Sequence, residues 1–135
     1  MLTCKYKIRV RYKETDAMGV AHHSNYAVWY EEARTELLRS LGASYRQLEA
    51  EGVMLPVSEL TMKYFRPARY DDLVTVRITL SEPPNVRLVF DHELYNEQGE
   101  LLNTGRVVLV YVDATTRRPR RAPADHVALF SAYFK

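Results

Sequence analysis

Between Leu2 and Lys13 apolar and basic residues alternate. Leu2, Cys4, Tyr6, Ile8, Val10 and Tyr12 fall on one side, and Lys5, Lys7, Arg9, Arg11 and Lys13 on the other. Successive side chains of a strand point to opposite faces, so this period predicts a half-buried strand with a solvated basic face. After a loop, Glu14 to His23, the period changes. Tyr26, Tyr30, Ala33, Leu37 and Leu41 recur at spacings of three and four, which is helical. Val28 and Trp29 make the first turns apolar nearly all round, while Glu31, Glu32, Arg34, Glu36 and Arg39 mark an outer face. The pattern predicts a helix that begins inside the protein and emerges toward solvent. Ser24 is the expected N-cap and Gly42 the expected stop.

A shorter helix is expected over Ser44 to Ala50. The rest reads as strands: Val57 to Phe65, Leu73 to Leu80, Val86 to Tyr95 and Leu101 to Val112, with a terminal helix over Ala124 to Phe134. Pro83-Pro84-Asn85 and Asn96-Glu97-Gln98-Gly99 have the composition of turns. On the strand from Val57 to Phe65, Leu60, Met62 and Tyr64 share a face. A single long helix with an apolar start must be covered, and an antiparallel sheet curled around it is the economical cover. The expected class is α+β, as one domain over residues 1–135.

Composition narrows the function. Hydrophobic residues make up 47% and charged residues 27%, ordinary values for a globular protein. Nineteen Lys and Arg against 17 Asp and Glu leave a net charge of +2, too mild to point to nucleic acid. The single cysteine, Cys4, rules out an internal disulfide and a cysteine-based zinc cluster, and reads as a small apolar strand residue. The N-terminus alternates rather than running apolar, and no stretch has transmembrane length. The expectation is a cytoplasmic protein without membrane insertion and without a cofactor.

The richest stretch for chemistry is Thr15-Asp16-Ala17-Met18-Gly19-Val20-Ala21-His22-His23-Ser24-Asn25-Tyr26. It places a carboxylate just before a helix N-terminus, where unpaired N–H groups and the helix dipole favour negative charge. A carbonyl held there would be polarised, and an oxyanion formed from it stabilised. Locally, an Asp in this position is also a common turn or capping residue. His22 and His23 beside Asp16 suggest a metal only weakly, because adjacent histidines are expected to point in different directions and no third helical ligand is evident. His92, on an apolar strand face, reads as a satisfied core histidine. Arg117-Arg118-Pro119-Arg120-Arg121 reads first as a solvated segment and second as a phosphate contact.

The run RYKETDAMGVAHHSNYAVWYEEARTELLRSLG resembles the active-site segment of the 4-hydroxybenzoyl-CoA thioesterase family, and in particular its acyl-CoA thioesterase branch associated with the Tol-Pal system. The matching residues are Thr15-Asp16, Gly19-Val20, His23, Asn25-Tyr26 and Glu32-Ala33-Arg34-Thr35-Glu36. Phe65-Arg66-Pro67-Ala68-Arg69-Tyr70-Asp71-Asp72 resembles a later turn of the family. Ala21-His22 stands where the family more usually has Val-Tyr. The resemblance implies a hotdog fold, a five-stranded antiparallel sheet wrapped around one long helix, paired into a homodimer or homotetramer. It implies an acyl-CoA thioester hydrolase, with acyl-CoA or an acyl-carrier protein as partner. Asp16 would be the catalytic carboxylate, acting as general base or nucleophile, and the His23 N–H the oxyanion donor. Asn25, Tyr26, Arg66 and Arg69 would contact substrate, with no metal. The alternative within the same fold is a module that binds acyl-CoA or acyl-carrier protein without hydrolysis.

Overall fold

A computed structural model describes residues 1–134. The elements are β1 (Leu2–Arg9), α1 (Ser24–Ser40), α2 (Tyr45–Ala50), β2 (Val53–Met54), β3 (Val57–Tyr64), β4 (Leu73–Leu80), β5 (Arg87–Tyr95), β6 (Leu101–Val110), β7 (Val112–Asp113) and α3 (Ala124–Ala128). Five strands form one antiparallel sheet in the order β1–β4–β5–β6–β3, while β2 and β7 pair separately. The register puts Val74, Val76, Ile78 and Leu80 beside Leu88, Phe90 and Leu94 on one face, all of them buried. Against that face lies α1, packed on β1 and β4. Tyr26, Trp29, Tyr30, Ala33, Leu37 and Leu38 fill the space between. Each such large apolar side chain contributes about 1.5–3 kcal/mol on burial. The expected α+β sheet-around-helix architecture is the observed one. Among the described residues no helix is long and apolar enough to cross a membrane.

Several boundaries differ from the periodic reading. β1 ends at Arg9 rather than Lys13. Val10 leaves the strand ladder to exchange backbone hydrogen bonds with Asp71 and Asp72, each 2.9 Å, and the chain then tightens into a 3-10 turn over Tyr12–Glu14. Tyr12 is thereby turned into solvent. The start of α1 is Ser24 itself, with His23 in the capping position; the Ser24 hydroxyl meets His22 Nδ1 at 2.8 Å instead of capping. Gly42 does stop the helix, at φ 86°. Its N–H bonds to Arg39 O and the Ala43 N–H reaches back to Leu38 O at 2.8 Å, which satisfies the terminal carbonyls.

Rather than emerging toward solvent, α1 stays seated along its length. Leu37 and Leu38 are fully buried, Arg34 is buried with them, and Val28 near the start is half exposed. The buried stripe is wider than the three-and-four spacing suggested, because neighbouring pairs such as Trp29-Tyr30, Ala33-Arg34 and Leu37-Leu38 both face inward. The expected strand through Val112 breaks at Tyr111, whose N–H turns to Val86 O, and two residues then pair with β2, too short a run to show a period. α3 ends early and is followed by a 3-10 turn over Ser131–Tyr133. It is pinned by His126, whose Nε2 lies 2.8 Å from the Tyr111 hydroxyl.

β3 differs from the other strands. Leu60, Met62 and Tyr64 do share its inner face, yet Val57, Leu60 and Tyr64 remain about half exposed. As the last strand of the sheet, β3 offers both a free backbone edge and a row of partly exposed apolar side chains.

Deep in the sheet His92 lies opposite Gly105. The Tyr30 ring stacks on the imidazole, with centroids 4.1 Å apart and planes 7° from parallel. His92 Nδ1 reaches Gly105 O at 3.3 Å, whereas Nε2 is buried without a partner, so this core histidine is only half satisfied. A Cβ on Gly105 would run into the Tyr30 ring and come within 3.2 Å of the Thr61 carbonyl. Gly105→Ala is therefore expected to destabilise the protein by about 1–3 kcal/mol through overpacking. Urea unfolding checks it: the midpoint should fall while the slope stays constant.

Candidate functional site

The segment between β1 and α1 is fixed by a buried carboxylate. Glu14 is 3% exposed. Its Oε1 accepts the Arg11 N–H at 2.7 Å and its Oε2 accepts the Trp29 indole N–H at 2.8 Å. The Arg11 guanidinium approaches Oε2 at 3.4 Å. Burial opposes the charge on Glu14, but these hydrogen bonds and the Arg11 charge outweigh it and hold the carboxyl below its ordinary range. The Glu14 backbone carbonyl accepts the His22 N–H at 2.8 Å and the Asn25 amide at 2.9 Å. One residue thus ties the strand end, the loop and the helix together.

On this base the loop folds back on itself. Thr15 and Ala21 form an antiparallel bridge, and Gly19 makes the turn at φ 77°. Asp16 Oδ1 accepts the Met18 N–H at 2.9 Å, while Oδ2 has no hydrogen-bond donor among the described residues. The carboxylate is therefore oriented through one oxygen and free at the other. The far side of the loop is tied to the segment after β3, with the Ala21 N–H on Ala68 O at 2.7 Å and Val20 bridged to Arg69.

The helix N-terminus follows directly. The Asn25 and Tyr26 N–H groups bond to His22 O and His23 O, and the Ser24 N–H meets His22 Nδ1 at 3.2 Å. Among the described residues the His23 N–H has no acceptor. Beside it Ala21, His23, Tyr26, Tyr64, Phe65 and Arg66 line an open concavity of about 290 Å³. The Tyr64 hydroxyl donates to His23 O at 3.3 Å, and its ring meets Tyr26 edge-on, with centroids 5.0 Å apart.

The residues expected at the site thus fall into groups. His23, Tyr26 and Arg66 line one concavity, while Asp16 stands on the loop that leads into it and is not among the lining residues; Arg66 is exposed and paired with Glu100 at 3.2 Å. The Asn25 amide is engaged by the carbonyls of Glu14 and His22, and the Tyr26 hydroxyl accepts the Ala68 N–H at 3.3 Å. Arg69 is exposed, its backbone held by Asp72 at 2.9 Å. Arg117 to Arg121 lie beyond β7, past the end of β6 opposite to the one that pairs with Tyr64. The two histidines do not diverge as expected. Their ring centroids are 4.1 Å apart, because the His22 ring folds over the helix start to meet Ser24. Glu14, Trp29, Tyr64 and Phe65 were not singled out by sequence reasoning. A charge in a loop and aromatics on a strand carry no mark of their partners.

Glu14→Gln is expected to keep the shape and lose the charge-assisted bonds, lowering stability by about 1.5–3 kcal/mol near neutral pH. Because folding lowers this carboxyl, its contribution is complete above the ordinary value of about 4.3 and disappears as pH falls through the lower folded value. Thermal melting across that range should show wild type and variant converging in acid.

Comparison with known proteins places this geometry. Residues 10–130 match the thioesterase-like superfamily. The acyl-CoA thioester hydrolase YbgC of Escherichia coli is 38% identical over 126 residues, 93% of this chain and 94% of that protein. The acyl-CoA thioesterase YbgC of Haemophilus influenzae is 32% identical over 93% of this chain and 92% of its own length. Among solved structures, the DHNA-CoA thioesterase of Staphylococcus aureus superposes with a TM-score of 0.92 at 34% identity, covering 98% of this chain and 91% of that one. With matched residues spanning the loop, α1 and every strand that carries the concavity, the chain belongs to the thioesterase-like superfamily of hotdog proteins.

Proposed function

We propose that the protein hydrolyses acyl-CoA thioesters, with Asp16 as the attacking or activating carboxylate and the His23 N–H as the oxyanion donor. The observation that supports the reading is that the loop and the helix start it leads into each carry one unsatisfied group among the described residues: the Asp16 carboxylate with one free oxygen and the His23 N–H with no acceptor. The thioester carbonyl oxygen would sit at the His23 N–H, where the helix dipole adds to the donor. Asp16 would then either take a proton from water as it attacks the carbonyl carbon, or attack directly to give an anhydride that water opens. Coenzyme A leaves as a thiolate. Its thiol pKa, about 8.5 if it behaves like cysteine, removes the need for a dedicated acid. His23 and Tyr26 line the approach, Asn25 holds the loop, and Arg66 and Arg69 offer guanidinium groups to the phosphates of coenzyme A. An acyl-carrier protein could present the same thioester.

The test is Asp16→Asn. The amide is isosteric and can still accept from Met18, so the loop should persist while the charge is lost. The expected result is a fall in kcat of about 10²–10⁴ or more, with unchanged melting and retained binding of a non-hydrolysable acyl-CoA analogue. Activity within a few-fold of wild type would refute the mechanism.

The same reading includes an oligomer joined through β3. An exposed strand edge flanked by Val57, Leu60, Tyr64 and Phe65 is stable in water only if paired or covered, and a second copy supplies a matching edge. Leu60→Lys should give a folded monomer by sedimentation, and lose activity if the site is completed by the partner.

A further inference from the structure

Arg34 occupies the buried stripe of α1 and is 5% exposed. Its Nε is buried without a hydrogen-bond partner, and among the described residues no carboxylate lies within ion-pair distance of it. A buried charge is ordinarily paired, since leaving water without compensation is costly. The Tyr45 hydroxyl lies near the guanidinium but is neutral, its ionisation pushed up chiefly by burial. His92 also approaches it, and its imidazole, pushed down to about 3 by burial and then by the Arg34 charge, is neutral and brings no negative charge.

It also borders a cavity. Arg34, Tyr45, Leu48, Leu55, Val57 and Leu109 line a pocket of about 310 Å³, with the exposed carboxylates of Glu31 and Glu49 at its rim. The walls are apolar and one side bears the unpaired guanidinium. The rim acids disfavour a highly charged anion such as a phosphate. What fits is a single carboxylate carried on an apolar body. The pocket lies at the Val57 end of β3, and the thioester site at its Tyr64 end. From His23 to Arg34 the helix axis rises about 16 Å. A medium-length chain laid along the half-exposed inner face of β3 would span the distance between the two.

We propose that the Arg34 pocket binds the carboxylate of an aliphatic ligand. The carboxylate has two sources, a free aliphatic acid or the distal carboxylate of a dicarboxylic acyl group. The second source rests on the thioesterase reading; the first does not.

Titration calorimetry with octanoate and with octanol supplies the test. Wild type should bind octanoate, and Arg34→Met should bind it at least tenfold more weakly, with octanol unaffected. Arg34→Met removes an unpaired buried charge, so its melting temperature should equal or exceed that of wild type. As a second variant, Leu55→Glu places an internal carboxylate in the pocket and should likewise lose octanoate. Octanoate binding unchanged in both variants overturns the proposal. So does absence of binding in a wild type that turns over decanoyl-CoA, which leaves the catalytic reading intact. A loss of dimer in Arg34→Met with normal octanoate binding would assign the guanidinium to a second copy and overturn it too. The source is read from kcat/KM for a 9-carboxynonanoyl-CoA against decanoyl-CoA. A preference for the former that Arg34→Met abolishes identifies the acyl group, and octanoate binding without that preference identifies the free acid.

Discussion

The candidate site hangs on one buried carboxylate. Glu14 accepts from the Arg11 backbone and the Trp29 indole with its side chain, and from His22 and Asn25 with its carbonyl. Strand end, loop and helix start are thereby held at fixed mutual positions, and Asp16, only two residues away, inherits that order. The division of labour is physical: Glu14 has both carboxylate oxygens engaged and is fixed, while Asp16 keeps one oxygen free on a loop that Glu14 holds in place.

That division shows which parts of the protein were legible in the chain. The strands were, because period two survives in β1, β4 and β5, and the helix was, because its apolar residues recur at helical spacing. Asp16 stood out by its position before a helix, and the resemblance of Thr15-Asp16 through Tyr26 gave it a role. Arg34 was read onto an outer face and Glu14 was passed over as a loop residue, for a shared reason. Charged side chains read as solvated, since most are, and only the fold reveals which have been enclosed. Their fates then diverge: Glu14 is surrounded by donors, and Arg34 by apolar walls, a neutral phenol and a neutral imidazole.

The edge strand shows the same limit from the opposite direction. Nothing in the alternation of Leu60, Met62 and Tyr64 distinguishes β3 from the covered strands. Its half-exposure follows from its place at the end of the sheet, which is set by pairing with the distant β6. One end of β3, at Tyr64, borders the concavity beside His23, and the other, at Val57, borders the Arg34 pocket.

The pairing of β1 with β4 has a consequence for how the molecule assembles. β4, β5 and β6 follow one another through short turns and can zip up from local contacts. β1 must instead close onto β4 across more than sixty residues that hold the loop, both early helices and β3. Closing so long an excursion carries a loop-entropy penalty that neighbouring hairpins escape, and contacts of this range form slowly. The three-strand meander, built from local contacts, is the expected nucleus. The loop that carries Asp16 begins where β1 ends, so its final shape is expected to wait until the first strand returns to the sheet.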